Sequence, residues 1–380
     1  MRIAHVIDYF HTDIGYQEYY LAQSMAAAGH KVQVVSSRFR HHTVPLASAE
    51  EGQGKATLAA AGVDIVRLPA YQLGHDRAWL RGLQRQIAAF EPDAVHVHGP
   101  FNPTAARTAW AKGGDGFRLL IDNHLTNANT PGARSLAGRA AYGGFDRAAG
   151  PLLRSRVDSW VAVGPDEARF LHQHLSLELG AIELVPLGFD PTTFSFDEAR
   201  RRSMRDERGW SDDIVVAITG KVHLGRRHDL VAAAVAKLHE HRSARLAVAG
   251  ALSHGDRRTI EQAAGPLARD GRCQFTGMLG RRELADLFLC SDVVVFPHPP
   301  SISIFEAAGT GAQVWVELSA YASWLHSLSP IIEPVELAEL PFPSIGPDGR
   351  ATRARAAREA FSWPVLADRF VALYQGDPMP

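Results

Sequence analysis

Hydrophobic residues in this chain gather into short uninterrupted runs, each followed by a longer stretch whose apolar positions recur at helical spacing. Runs of that kind read as strands buried on both faces, and their alternation with helices predicts parallel sheets wrapped by helices. In the first half the expected strands are Ile3–Ile7, Lys31–Ser36, Asp64–Leu68, Ala94–His98, Arg118–Asp122, Ser159–Val163 and Ile182–Val185. The second half repeats the pattern at Ile214–Thr219, Arg245–Ala249, Cys273–Thr276, Val293–Phe296 and a strand ending at Val316. Expected helices include one closing at Gly29, one over Trp79–Phe90, and others from Asp166, Glu198, Asp256 and Arg281. Residues 37–60 are polar and read as an irregular loop. The pattern predicts an α/β chain of two Rossmann-like, doubly wound domains, 1–185 and 186–360. The turn Pro186–Phe194 (PLGFDPTTF) connects them, and a closing helix, 361–377, follows.

The stretch Asp292–Val316 concentrates the candidate chemistry: strand, Pro-rich turn, a helix carrying Glu306, a Gly-marked stop and another strand. In such units ligands sit off the carboxyl ends of the strands. The amides of Ile302, Ser303 and Ile304 would open toward a phosphate. Glu306, one turn deeper, would accept hydrogen bonds from ligand hydroxyls; a plain βαβ unit with a solvated Glu is the alternative. Gly15 marks the first strand-to-helix turn, where the backbone can approach a ligand. The G-x-G-x-x-G fingerprint is absent, which argues against a nicotinamide-binding opening. His96 and His98 share one strand face. They could hold a metal, but no partnering set stands nearby in sequence, so no metal is expected. His124, just past the end of a strand, faces the ligand crevice or serves as a hydrogen-bonded structural residue.

Composition changes the picture in three places. The 380 residues are 46% hydrophobic and 21% charged with a formal net charge of −1, so no overall field favours nucleic acid. One local basic stretch, 132–156, sets Arg134, Arg139, Arg147, Arg154 and Arg156 against Asp146 with apolar residues interleaved. It is either a solvated helix face or a peripheral contact for an anionic lipid headgroup or a charged acceptor. The two cysteines, Cys273 and Cys290, read as reduced core residues of a cytoplasmic protein; the chain opens directly on a strand, and no membrane span is expected.

Eight fragments stand in an order that resembles a GT-B glycosyltransferase, most closely the retaining enzymes of glycosyltransferase family 4. They are IGYQEYYLA with AAGHKVQVVSS, DAVHVHG, IDNH, VPLGFDPTTF, ITGKVHLGRRHDLVAA, CQFTGMLGRRELADLFLCSDVVVFP, EAAGTGAQV and FSWPVLADRFVALY. The resemblance implies two facing domains with a nucleoside-diphosphate sugar held mainly by the second and the acceptor by the first. Lys221 and Arg226 then stand where the family places an Arg and a Lys, cations that stabilise the departing diphosphate; Arg227 is the alternate for Arg226. Glu306 matches the family's ribose-binding Glu, while His298 replaces the Glu that touches the donor sugar. Ser301, Ile302 and Ser303 match the turn that holds the distal phosphate. Gly220, Gly250, Met278 and Leu279 fall on donor and base contacts, and Gly15 and Tyr16 on the first Gly loop, with Tyr16 replacing a glycine. His124 matches a His beside the reacting carbon, where it would position the donor sugar or stabilise an oxocarbenium-like centre. His98 and Asn127 fall on the acceptor side. The motif Gly-x-Pro-Glu expected after Val316 is absent.

The implied reaction is glycosyl transfer with retention, from a nucleotide sugar to a glycan, lipid-linked or small-molecule acceptor, without cofactor or essential metal. Two other readings are carried: a nucleotide-sugar epimerase of the same fold, and a degenerate nucleotide-sugar-binding protein without transfer activity.

Overall fold

The computed structural model describes residues 1–12, 15–41, 44–45, 52–73, 77–113, 116–220, 227–298, 301–343 and 346–377. The chain divides into two compact units: Met1–Pro186 with Leu366–Pro380, and Leu187–Val365.

The first unit is built on a seven-stranded sheet. Its order is Ile182–Leu184, Ser159–Ala162, Arg118–Asn123, Ala94–His98, Arg2–Val6, Lys31–Ser37 and Val63–Leu68, all parallel. These are the apolar runs; Ala94–His98 is buried along its whole length, as a central parallel strand must be. The chain winds outward from Arg2–Val6 in one direction and from Ala94–His98 in the other. That makes the carboxyl ends of these two strands the topological switch point, where open α/β sheets take their ligands.

The second unit has a six-stranded sheet ordered Cys273–Gly277, Ala244–Ala249, Ile214–Thr219, Val293–Phe296, Gln313–Glu317 and Ile332–Val335. All its pairings are parallel, and its switch point lies between Ile214–Thr219 and Val293–Phe296. The helix Ser303–Gly309 packs closely here, since a Cβ built on Gly309 would come within 2.3 Å of the Phe189 ring.

Two local expectations fail for physical reasons. Within 37–60 a helix forms over Gly52–Ala60, and Phe39–His41 pairs with Val44–Pro45. Leu58 is the one buried side chain among that helix's described residues, so no apolar stripe betrays it in the sequence. The expected helix Trp79–Phe90 is shortened to Leu83–Phe90. Ahead of it Ala78–Leu80 pairs with Ala70–Gln72 as a hairpin, and Gly82, at φ +79°, turns the chain into the helix.

Candidate functional site

At the first unit's switch point the sheet register gathers polar side chains that lie far apart in sequence. His5 pairs with His96, and His98 with Asp122, so these residues line one sheet face. The closing helix, Trp363–Gln375, covers that face: Phe370 lies 5.1 Å from the His96 ring, and the Tyr374 hydroxyl lies 2.8 Å from His96 Nδ1.

Asp122 is the hub. Its Oδ2 lies 2.8 Å from His98 Nδ1, 2.8 Å from Gln17 Nε2, 3.1 Å from His96 Nε2 and 3.5 Å from His124 Nε2. His98 Nε2 in turn lies 3.0 Å from His5 Nδ1. One tautomer assignment serves every aligned contact with Asp122 ionised. His98 donates from Nδ1 to Asp122 and accepts at Nε2 from His5, while His96 Nδ1 accepts from the Tyr374 hydroxyl. Asp122 Oδ1, Gln17 Oε1 and His5 Nε2 are buried without a hydrogen bond, and His96 Nε2 sits near Asp122 off the bond direction.

Burial pushes His5 well down and His96 to about 4, keeping both rings neutral. Burial alone would raise Asp122; the imidazoles of His98, His96 and His124 outweigh it and hold the carboxyl well below the usual range. His5, His96 and His98 bring ring nitrogens within 4.8 Å of one another, the metal partners that sequence spacing did not reveal. The His96 and His98 rings stack at 4.2 Å and 27°; both His98 nitrogens have partners, whereas His5 Nε2 and His96 Nε2 have no hydrogen bond.

Around this hub stand two carboxylates that the sequence reading missed. Glu18 lies in the first turn of Gln17–Ala27, the helix following the first strand, and is buried. Glu167 lies in the first turn of Pro165–Leu175, fully buried with neither carboxylate oxygen hydrogen-bonded. Asn123 Nδ2 holds its backbone carbonyl at 2.9 Å. Burial raises Glu18, and raises Glu167 to about 7. His124 is the more open member, its side chain 40% exposed. Burial opposes its charge, but Asp122, Glu18 and Glu167 prevail and push its pKa up.

Both His98 ring nitrogens have partners, Asp122 and His5, and the upward shift of His124 suits hydrogen-bond donation. Asn127 donates to Gln173 at 2.9 Å. Gly15 adopts φ +67°, where a Cβ would strike Tyr20, and Tyr16 stands at the N-cap position of the following helix without a side-chain capping bond, 48% exposed.

In the second unit the expected donor residues fall at the carboxyl ends of successive strands. Gly220 follows Thr219 at φ +116°, Gly250 follows Ala249 at φ +140°, and Gly250 donates to the Gly277 carbonyl at 2.8 Å. Met278 is 76% exposed and Leu279 packs partly against the core. His298 is exposed just past the Val293–Phe296 strand. Arg227 begins the helix His228–His241 and pairs with Glu317 at 2.6 Å. Lys221 and Arg226 lie outside the described residues.

The turn before Glu306 departs from expectation. Ser303 N–H donates to Ser301 Oγ at 3.3 Å and Ile304 N–H to the Ser301 carbonyl at 3.2 Å, so these amides are already engaged. Glu306 is 1% exposed, accepts from Ser303 Oγ at 3.0 Å and lies 3.1 Å from Arg281 Nη1. Burial raises its pKa against Arg281 and Ser303.

Residues 17–193 match the sequence family described as Glycosyltransferase Family 4, a match that starts after the first strand and its turn and reaches the connector. The chain resembles the family 4 glycosyltransferases. Its fold is that of the GT-B enzymes. Anabaena HepE, solved with UDP, superimposes with a TM-score of 0.67 at 14% identity, covering 99% of this chain and 100% of that one. A glycosyltransferase from Rickettsia africae gives 0.67 at 14% identity over 98% and 97%. WaaG, a glycosyltransferase of lipopolysaccharide biosynthesis, gives 0.55 at 14% over 98% and 100%. A UDP-GlcNAc 2-epimerase from Neisseria meningitidis gives 0.52 at 11% over 99% of each chain. No curated protein sequence matches. In this family 4-like chain no helix among the described residues is long and apolar enough to cross a membrane.

Proposed function

We propose that the protein transfers a glycosyl residue from a nucleoside-diphosphate sugar to an acceptor hydroxyl or similar nucleophile, with retention and without an essential metal. The observation that carries this reading is the first unit's crevice: a cation-biased His124 beside buried carboxylates at a switch point, within a stretch that matches glycosyltransferase family 4. His124 donates a hydrogen bond to the donor sugar. The second unit takes the nucleotide at the glycine-marked strand ends around Gly220, Gly250 and Gly277. Lys221 and Arg226 neutralise the diphosphate, and Glu306, held by Ser303 and Arg281, orders the turn before it. The relatives solved with UDP support a nucleoside-diphosphate donor.

The acceptor is a glycan, lipid-linked or small molecule, and the protein works in the cytoplasm. The helix Leu136–Arg156 and the turn ahead of it supply a peripheral contact for the inner membrane face. Support for that contact is the exposed Arg134, Arg139 and Arg147 beside Leu136, which is 79% exposed.

A thermal-shift screen of UDP, GDP, ADP, dTDP and CMP tests the reading. One nucleoside diphosphate at a hundredfold over its dissociation constant should add about 2.7 kcal/mol of stability. Indifference to all of them would overturn the donor assignment.

A further inference from the structure

We infer that Asn123 and Asn129 are positioning residues for His124: their side-chain amides lock the backbone on either side of it, so that the imidazole is presented at one fixed place beside Asp122. The fixing stands on the loop's own bonding; only its consequence for turnover rests on the transfer reading above.

His124 follows the strand Arg118–Asn123 and stands in a stretch with neither helix nor strand. Backbone groups in such a stretch ordinarily turn to water, which leaves the chain free to move. Here they turn to two asparagines. Asn123 is fully buried, and its amide is spent at both ends. Its Oδ1 accepts from the Leu125 N–H at 3.1 Å, and its Nδ2 donates to the Leu125 carbonyl at 3.0 Å and the Glu167 carbonyl at 2.9 Å. Two carbonyls at one end and an N–H at the other permit only that orientation of the amide. Asn129 reaches back from the far side. Its Nδ2 donates to the His124 carbonyl at 2.8 Å, and its Oδ1 accepts from the Thr126 N–H at 2.8 Å. Thr126 Oγ1 in turn accepts from the amides of Ala128 and Asn129, and the Thr126 carbonyl from the Thr130 N–H.

The bonding reaches past the loop. Asn123 pairs with Ala162 in the sheet, and its carbonyl accepts from the Val163 N–H at 3.4 Å, just ahead of the helix that carries Glu167. One buried side chain thus joins the His124 loop to that helix. The His124 ring itself approaches Asp122 Oδ2 at 3.5 Å, too long to fix it, so its place comes from the backbone that carries it. Burial opposes the ring's charge, and Asp122, Glu18 and Glu167 outweigh burial while the ring is held within their reach.

The test is an NMR pH titration of the histidine rings in the full chain, with His124→Gln identifying the His124 signal. In the parent its midpoint should lie above 6.5, and in Asn129→Ala and Asn123→Ala it should fall toward 6.5 as the loop slackens and the ring moves into solvent. Asn129 is exposed, so Asn129→Ala, checked by its melting curve, carries the test if the buried Asn123→Ala does not fold. In turnover, Asn129→Ala should lower kcat by about ten- to a hundredfold, the range that a misplacement of up to about 1 Å costs. The donor KM should change by less than about twofold, because the second unit holds the nucleotide. A midpoint unmoved in Asn129→Ala overturns the inference, whatever its melting temperature does, and so does a moved midpoint with kcat unchanged. If the parent itself transfers no sugar, the transfer reading falls and the midpoint alone decides whether the amides hold the ring.

Discussion

Two buried aspartates, Asp122 in the first unit and Asp292 in the second, sit in strongly polar surroundings and are finished in opposite ways. Asp292 uses both oxygens: Oδ1 meets Arg201 at 2.5 Å and Arg350 at 3.4 Å, and Oδ2 meets Arg205 at 3.0 Å and the Val215 amide at 2.9 Å. Spare guanidinium donors go to backbone carbonyls of Cys290, Ser291, Trp210 and Leu289. Asp122 crowds its neighbours onto Oδ2 and leaves Oδ1 bare. Around Asp292 nearly every polar atom is spent on the fold, tying the helix Glu198–Arg208 to the start of the Val293–Phe296 strand. Around Asp122 several make no hydrogen bond within the protein, and buried polar groups left so cluster at functional sites.

The largest expected effect breaks the closed side of this contrast. Asp292→Ala would leave Arg201, Arg205 and Arg350 buried without their shared counter-charge, at a cost of about 3–5 kcal/mol. Urea unfolding measures it; a loss within ordinary surface-mutation scatter would show the knot to be ornamental.

The open side should respond in the other direction. Glu167 is raised from 4.5 to about 7, so the native state keeps a proton that the unfolded chain releases, and stability is lost as pH rises through that window. Glu167→Gln should therefore stabilise the protein by up to about 3 kcal/mol above pH 7 and by little near 4.5. Equal melting temperatures of variant and parent at both ends of the window would refute the assignment. Stabilisation bought with weaker ligand binding is the usual signature of a functional site.

His96 gives a shift of similar size and opposite sign. Its native pKa is lowered from 6.5 to about 4, so the unfolded chain binds the extra proton and stability falls as pH drops between those values, by about 3 kcal/mol. His96→Gln should flatten that acid limb in pH-dependent denaturation curves, leaving the contribution of His5.

Much of this was legible in the chain. The succession of strands and helices follows from the apolar runs, and Gly15, Gly220 and Gly250 are φ-permissive residues at strand ends, each with a positive φ. The hub was not, because His5, His98 and Asp122 become neighbours only through parallel register, which sequence spacing does not encode. A signal existed: an acid inside the buried run LLIDN, and Glu167 just past the end of another strand, are placements that proteins rarely tolerate without purpose. The ion pair of Glu306 was not legible either, because its partner Arg281 opens a different helix, so the neutralising charge is invisible locally.

The smallest effect sits at the rim of the second unit. Arg227→Ala removes an exposed pair with Glu317 and should change stability by less than about 1 kcal/mol. Any larger loss would mean that this cation is part of a closed network like that of Asp292.

The account is tested most directly by following a donor sugar, chosen by the nucleotide screen, in the presence of a cell-extract acceptor pool by NMR. The parent protein should release free nucleoside diphosphate and form a product of unchanged anomeric configuration, and His124→Ala, equally folded by its melting curve, should lose that turnover. Undiminished turnover in His124→Ala, or an isomerised donor with no nucleotide released, would contradict it.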